Sequence, residues 1–91
     1  MIEKHIGTLS TYHWEPGDTE PVKLGHVTSL VVTVDGGAAT LLGRNDDAGQ
    51  WHPMADVHGF QIKAPGIYHV TMIPWSVRPE GQGAVTIVAR G

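Results

Sequence analysis

Turn-forming residues interrupt this chain so often that only short elements can form between them. Twelve glycines and six prolines are spread over 91 residues. Proline presets a turn corner, and glycine takes the positive φ that many turns need. The runs between these groups are roughly 7–16 residues long, which favours a β-sandwich or barrel. The main turn groups are residues 15–18, 35–37, 45–49, 64–66 and 79–83. Within them, Asp35-Gly36-Gly37 is a sequence typical of hairpins.

The runs between the turns alternate between apolar and polar residues. Runs 30–34, 60–63, 68–72 and 85–90 each place apolar side chains at every second position. This period is typical of antiparallel strands with one face on a core and the other in water. No window free of glycine and proline has helical spacing of its apolar residues.

The pattern predicts an all-β fold with little or no helix. We expect a single domain over residues 1–91: a small antiparallel β-sandwich, Ig-like or jelly-roll-like, of seven to eight short strands. The run from residue 22 to 34 is long for one strand, and a bend near Gly25 would let it switch sheets. Strands are predicted over 2–13, 22–34, 38–44, 51–55, 58–63, 67–73, 75–79 and 84–90.

Composition narrows the function classes. The net charge is −3, and the six basic residues form no cluster, so nucleic acid is not an expected partner. The chain has no cysteine, which excludes a disulfide and a thiolate zinc site. The N-terminus lacks an apolar stretch of signal-peptide length, and no window approaches the ~18 apolar residues of a membrane span.

No catalytic or metal-binding motif is visible. The six histidines include no close pair with metal-ligand spacing, and we interpret them as surface strand residues. Asn45-Asp46-Asp47 lacks the alternating ligands of a calcium loop, and Asn and Asp are common turn residues. No serine lies in a Gly-x-Ser-x-Gly motif. We therefore expect no enzyme activity, no metal and no cofactor.

The three tryptophans are the residues that most need an explanation. Trp51 follows a turn and is expected to close one end of the core. Trp14 and Trp75 are expected at strand ends, partly exposed. Three interpretations stay open for such side chains: core and strand-end packing, anchors for a protein partner, or stacking platforms for a sugar. Tryptophan and arginine are enriched at protein interfaces.

A series of short motifs over about residues 30–90 resembles small β-sandwich virion proteins of tailed bacteriophages. Those proteins carry a strand, a Gly-Ser-Asn-Asp-Gly-like turn and a tryptophan, followed by an Arg-Pro strand end, a glycine-rich turn and a final Val-Thr strand. This chain departs from the pattern at Arg44, where serine is usual, and at Asp47, where glycine is usual. The matching segments are Gly43-Arg44-Asn45-Asp46, Trp51, Pro65-Gly66-Ile67-Tyr68, Val77-Arg78-Pro79, Gly81-Gln82-Gly83 and Val85-Thr86-Ile87.

The resemblance implies a non-enzymatic virion protein, above all a head decoration (cement) protein that binds and stabilises the major capsid protein lattice. It implies synthesis in the bacterial cytoplasm, a place on the capsid surface and a homo-oligomer, such as a trimer. Its partners would be the major capsid protein or other virion proteins, with no nucleic acid and no membrane. The expected contact residues are His5, Tyr12, Trp14, Trp75 and Arg78.

Three alternatives remain at this point. The first is a phage head fibre or tail component. The second is a carbohydrate-binding module that uses Trp14, Trp51 or Trp75. The third is a small metal-dependent enzyme of cupin-like architecture, which needs at least three side chains to converge on one point. Its candidate ligands are His52, Asp56, His58 and His69.

Overall fold

A computed structural model describes all 91 residues and contains two antiparallel sheets and no helix. The predicted small all-β sandwich is confirmed, with nine strands rather than seven or eight. The strands are β1 (Ile2–Ile6), β2 (Leu9–Trp14), β3 (Val22–Lys23), β4 (Ser29–Asp35), β5 (Ala39–Arg44), β6 (His52–Pro53), β7 (Gly66–Val70), β8 (Ser76–Gly81) and β9 (Ala84–Arg90).

The strands are distributed over a five-stranded and a four-stranded sheet. The first has the order β1-β2-β9-β4-β7, and the second has the order β3-β8-β5-β6. Only the β1–β2 and β5–β6 hairpins connect neighbours within one sheet. Every other connection carries the chain from one sheet to the other, so the chain crosses between the two layers many times along the sequence.

One hydrophobic core lies between the sheets. Strands β4 and β9 contribute alternate residues to it, as the period-two pattern predicts: Leu30, Val32 and Val34 are buried, whereas Val31 is exposed. The other large contributors come from both layers and from the loops. The fully buried large side chains include Trp14, Leu41, Ile62, Val70, Val77, Val85 and Ile87.

The N-terminal segment is a hairpin, not the single strand predicted over 2–13. Gly7 has a φ of +58° and is followed by Thr8, whose φ is not positive, as in a type II′ turn. The register runs from Ile6 opposite Leu9 to Ile2 opposite His13. A single glycine between two apolar residues is a weak turn signal, and the prediction missed it.

The predicted bend near Gly25 is confirmed. Gly25 has a φ of +61°, and the chain leaves the four-stranded sheet after Lys23 and enters the five-stranded sheet at Ser29. The predicted strand over 22–34 is therefore two strands in different layers.

The interpretation of residues 35–37 as a hairpin turn is wrong, because β4 and β5 lie in different sheets. This connection packs against the one between β8 and β9, which also joins the two layers. A Cβ atom added to Gly83 would overlap the carbonyl oxygen of Gly37. The two connections thus approach backbone to backbone, which only glycine permits at Gly83.

The strand predicted over 58–63 is also wrong. Oδ1 of Asp56 accepts hydrogen bonds from the backbone N–H groups of His58 and Phe60, each at 2.9 Å, and curls this segment into a loop. Phe60 is exposed, whereas Ile62 is buried in the core. The remaining predicted strands match β5, β6, β7, β8 and β9 to within a few residues at each end.

Candidate partner-binding surfaces

Strand β1 forms an exposed edge of the five-stranded sheet. All five of its residues are exposed, and Ile2 and Ile6 are 65% and 63% accessible. Ile6 and Leu9 flank the two-residue turn and therefore form a hydrogen-bonded pair. Because this pattern alternates along the strand, the backbone N–H and C=O groups of Glu3 and His5 point away from β2. They are free to pair with another strand.

The side chain of His5, a predicted contact residue, lies on this edge. Its Nδ1 is 2.7 Å from Oγ of Ser10, and its Nε2 is 2.8 Å from Oε2 of Glu3. The ring meets Tyr12 edge-on, with the centroids 6.0 Å apart. These contacts orient the imidazole across the β1–β2 hairpin while leaving the backbone of His5 free.

Tyr12 and Trp14 are buried, and the expected partial exposure of Trp14 is wrong. Tyr12 is 6% exposed and Trp14 is fully buried. Both side chains point to the inner face of β2. The loop after β2 folds back so that Nε1 of Trp14 donates a hydrogen bond to the carbonyl oxygen of Glu20 at 2.7 Å. Neither side chain offers a surface to a partner in this fold.

The amino group of Met1 holds the same loop. It lies 2.6 Å from Oδ2 of Asp18 and 3.5 Å from Oε2 of Glu20. The hydrogen bond to Asp18 raises the pKa of the amino group above its usual 8.0. The hydrogen bond from the amino group, helped by the N–H of Glu20, lowers the pKa of Asp18.

Trp51 lies on the outer face of the four-stranded sheet and does not close the core as predicted. Gly43 pairs with His52, so Arg44 and Trp51 meet at the next position of the β5–β6 hairpin. The guanidinium carbon of Arg44 is 4.3 Å from the ring centroid of Trp51, and that of Arg78 is 5.1 Å away. Both distances are in the cation–π range.

Trp75 extends this surface next to the start of β8. It is 44% exposed, which confirms its expected partial exposure, and Nζ of Lys23 lies 5.9 Å from its ring centroid. Lys23 also approaches Asp47, at 3.5 Å, and Arg78 approaches Glu80, at 3.6 Å. We call this surface the Trp/Arg face; it consists of Lys23, Arg44, Trp51, Trp75 and Arg78.

The structure brings two predicted contact residues, Trp75 and Arg78, to the Trp/Arg face and places His5 on the β1 edge. The sequence prediction missed Lys23 and Arg44. The role of Arg44 could have been predicted from the sequence. The turn over 45–49 fixes the register of the β5–β6 hairpin, and this register puts Arg44 directly opposite Trp51.

The outer face of the five-stranded sheet has a different character. Its apolar side chains alternate with threonines at positions 11, 33 and 86 and with the basic or imidazole side chains of Lys4, His13, His69 and Arg90. The exposed large apolar residues on this face are Ile2, Ile6, Leu9, Val31, Ile67 and Val88.

The acidic and histidine residues do not form a metal site. No group of three or more His, Cys, Asp or Glu side chains is placed to hold a metal ion, so the convergence that the cupin-like alternative requires does not occur. In the 45–49 turn, Oδ1 of Asp46 accepts a hydrogen bond from the N–H of Ala48 at 2.9 Å. This side chain shapes the turn, as predicted for Asn and Asp residues there.

The fold places the chain in the class of small all-β proteins built from two packed antiparallel sheets. No helix in it has the length and apolar character needed to cross a membrane. In comparisons with known proteins, no protein-family model matches the chain, and no curated protein or solved structure matches it either.

Proposed function

We propose that this chain is a non-enzymatic virion structural protein of a tailed bacteriophage, and specifically a capsid decoration protein that stabilises the major capsid protein lattice. The resemblance of its motifs supports this role. The small rigid fold is of the kind that the resemblance implies. In this proposal the protein is made in the bacterial cytoplasm and assembles on the capsid surface as a homo-oligomer, with a trimer as the form that the resemblance implies.

The observation that carries the proposal is the exposed edge of β1. Its free backbone groups at Glu3 and His5 suit the addition of an extended strand, a recurring mode of protein recognition. Ile2 and Ile6 point to the outer face of the sheet and offer apolar contacts on one side of that added strand. A strand of the major capsid protein is the proposed occupant.

The Trp/Arg face supplies a second contact. Trp75 presents a large half-exposed ring just before β8, and Arg78 lies on β8. Residues of these types dominate the energy of many protein interfaces. Because the β1 edge and the Trp/Arg face belong to different sheets, one copy has two separate surfaces with which to touch neighbouring subunits. That arrangement suits a protein that ties capsid subunits together.

The test is to mix the purified chain with undecorated capsids and measure co-sedimentation and capsid heat resistance. Binding together with a gain in heat resistance is the expected result. If neither is seen, the decoration role is excluded, and binding to isolated fibres or tails then tests the alternative of a head fibre or tail component.

Two variants of one residue isolate the β1 edge. His5→Pro removes the contacts of the imidazole and also the outward-facing N–H, which β2 does not use, and proline is tolerated at such edge positions. His5→Ala removes the same side-chain contacts but keeps the N–H. We expect His5→Ala to bind capsids nearly as wild type and His5→Pro to bind at least about tenfold more weakly, the loss of roughly one good hydrogen bond and its strand alignment. Equal binding by the two variants would exclude strand addition at β1.

The carbohydrate-binding alternative is weaker in this structure. Trp14 is buried, and the ring of Trp51 is already flanked by Arg44 and Arg78. Trp75 alone retains a half-exposed ring, and Lys23 lies near it.

A further inference from the structure

A cleft of about 590 Å³ opens at the β6 edge of the four-stranded sheet. One wall comes from the end of β5 and from β6 with the residues that follow it. The other wall comes from the loop between β7 and β8. The volume of the cleft lies in the range of sites that hold a small ligand or a few side chains of a peptide.

Apolar side chains line the cleft, and the fold leaves Met72 and Val57 exposed, whereas Met54 belongs to the core. Met72 is 88% exposed and Val57 is 45% exposed, and Pro53, Met54 and Pro74 complete this lining. Methionine adapts its shape to different apolar partners. The cleft therefore suits an aliphatic or aromatic side chain supplied by another molecule.

One side of the cleft carries hydrogen-bond donors that have no acceptor within the protein. Arg44 makes no ion pair, and its Nε is buried without a hydrogen-bond partner. The side chains of Asn45 and His52, which also line the cleft, make no hydrogen bond. Buried polar atoms are almost always paired in folded proteins, and the other unpaired one is Oγ of Ser76, which lies opposite Arg44 in the β5–β8 register.

No nearby carboxylate forms an ion pair with Arg44. Oδ1 of Asp56, the acidic residue in the cleft, accepts two backbone N–H groups. Asp47 approaches Lys23, and Glu80 approaches Arg78. Stacking on Trp51 meanwhile fixes the position of the Arg44 guanidinium, which lowers the entropy cost of binding an anion there. The positive charge is preorganised and lacks an acidic partner.

We propose that this cleft binds an extended acidic segment of a protein partner, with an apolar side chain on Met72 and Val57 and an adjacent carboxylate on Arg44. The inference rests on the proposed function only for the identity of that partner, which would be a virion protein. The donors and the unpaired guanidinium favour a carboxylate over a neutral group, because a charge-assisted hydrogen bond is about twice as strong as a neutral one.

The test uses two blocked peptides, acetyl-Ala-Leu-Glu-amide and acetyl-Ala-Leu-Gln-amide, titrated into the ¹⁵N-labelled chain and followed by amide chemical shifts. The peptides differ only in the charge of the last side chain. We expect both to shift the amides of residues 43–45, 52–57 and 71–73, with the Glu peptide bound about five- to tenfold more tightly. No shifts at several millimolar peptide, or equal affinities, would overturn the proposal.

Two substitutions separate the charged and apolar parts of the site. Arg44→Gln should weaken the Glu peptide to the level of the Gln peptide. Met72→Ser should weaken both peptides by a similar factor and keep their ratio. The controls are Arg90→Gln and Ile67→Ser, at exposed positions that do not line the cleft. A retained preference for the Glu peptide in Arg44→Gln would also overturn the proposal.

The peptide and capsid experiments distinguish failure of the cleft proposal from failure of the capsid role. If the peptides do not bind but the chain binds capsids, the cleft proposal fails alone. If the peptides bind with the expected charge preference but capsids do not, the cleft proposal stands and the capsid role fails.

Discussion

The tryptophan at the end of β2 and the two tryptophans beside the four-stranded sheet lie in opposite environments. Trp14 is fully buried between the sheets, and its N–H is paired with the carbonyl of Glu20. Trp51 and Trp75 lie outside, among Arg44, Arg78 and Lys23. The same residue type thus supports the core in one region and forms part of the Trp/Arg face in the other.

The difference shows what decides the role of a tryptophan in a small sandwich. Trp14 is on the inward-facing side of its strand, and the following loop supplies an acceptor for its N–H. Trp51 follows a hairpin turn in a register that puts it beside Arg44 on the outer side. Side-chain parity and an available acceptor therefore decide burial, and proximity to a turn does not.

The largest expected effect on stability comes from removing the buried side chain of Trp14. Trp14→Ala should lower the free energy of unfolding by about 3–5 kcal/mol, because it leaves a large cavity in the core and an unpaired carbonyl at Glu20. Urea denaturation followed by circular dichroism measures this loss. Trp14→Phe keeps most of the volume and should cost less. A loss below about 1 kcal/mol for Trp14→Ala would contradict the buried position.

A smaller effect is expected at the outer tryptophan that contacts two arginines. Trp51→Ala should cost about 1–2 kcal/mol, through two cation–π contacts and the apolar area that they cover. A double-mutant cycle with Arg44→Ala measures the coupling by the same denaturation experiment. A loss as large as that of Trp14→Ala would place Trp51 in the core after all.

Trp75→Ala should hardly change stability, by about 0.5 kcal/mol or less, because substitutions at half-exposed positions usually have small effects. If the Trp/Arg face contacts a partner, the same variant should weaken capsid binding several-fold. Parallel measurement of unfolding and of co-sedimentation separates the two effects. A variant that loses stability but not binding would remove Trp75 from the proposed interface.

The smallest effect is expected from pH, at the contact that holds the loop next to Trp14. The amino group of Met1 has a raised pKa. Its contribution to the stability of the fold is therefore complete below pH 8.0 and is lost as the pH rises through the raised pKa. Asp18 has a lowered pKa, so its contribution to the stability of the fold is present above the usual aspartate pKa of 3.8 and is lost as the pH falls through the lowered pKa.

Melting temperatures between pH 3 and pH 10 test this contact. In Asp18→Asn, the amide oxygen still accepts the N–H of Glu20, but the charge is gone. Wild type should therefore lose more stability than Asp18→Asn at both ends of the pH range. Parallel profiles for the two proteins would show that the ion pair does not contribute.

The sequence predicted the layers better than the connections. Alternation identified β4 and β9 well, because each buries one face along its whole length. It failed at residues 58–63, where hydrogen bonds to Asp56 outweigh an alternating pattern. It also failed at residues 35–37, since a glycine-rich turn between two strands does not reveal whether they share a sheet.

The candidate sites were predictable only in part. Trp75 and Arg78 were named from residue type alone; the structure places Arg78 on the outer face of the four-stranded sheet and Trp75 just before β8, with its ring 5.9 Å from Nζ of Lys23. The cleft could not be predicted, because it depends on how the loop over 71–74 stands against β6. The unpaired state of Arg44 likewise depends on which acidic side chains other residues engage, which no local pattern encodes.

The position of β9 has a consequence for how the protein is made. This strand follows the other eight along the sequence, yet it lies between β2 and β4 in the middle of the five-stranded sheet. Until it is synthesised, the N-terminal hairpin has no partner, and β4 exposes a long apolar edge. Folding must therefore wait for distant parts of the chain to meet, which favours slow folding. During that delay the growing chain is most exposed to wrong strand pairing with its neighbours.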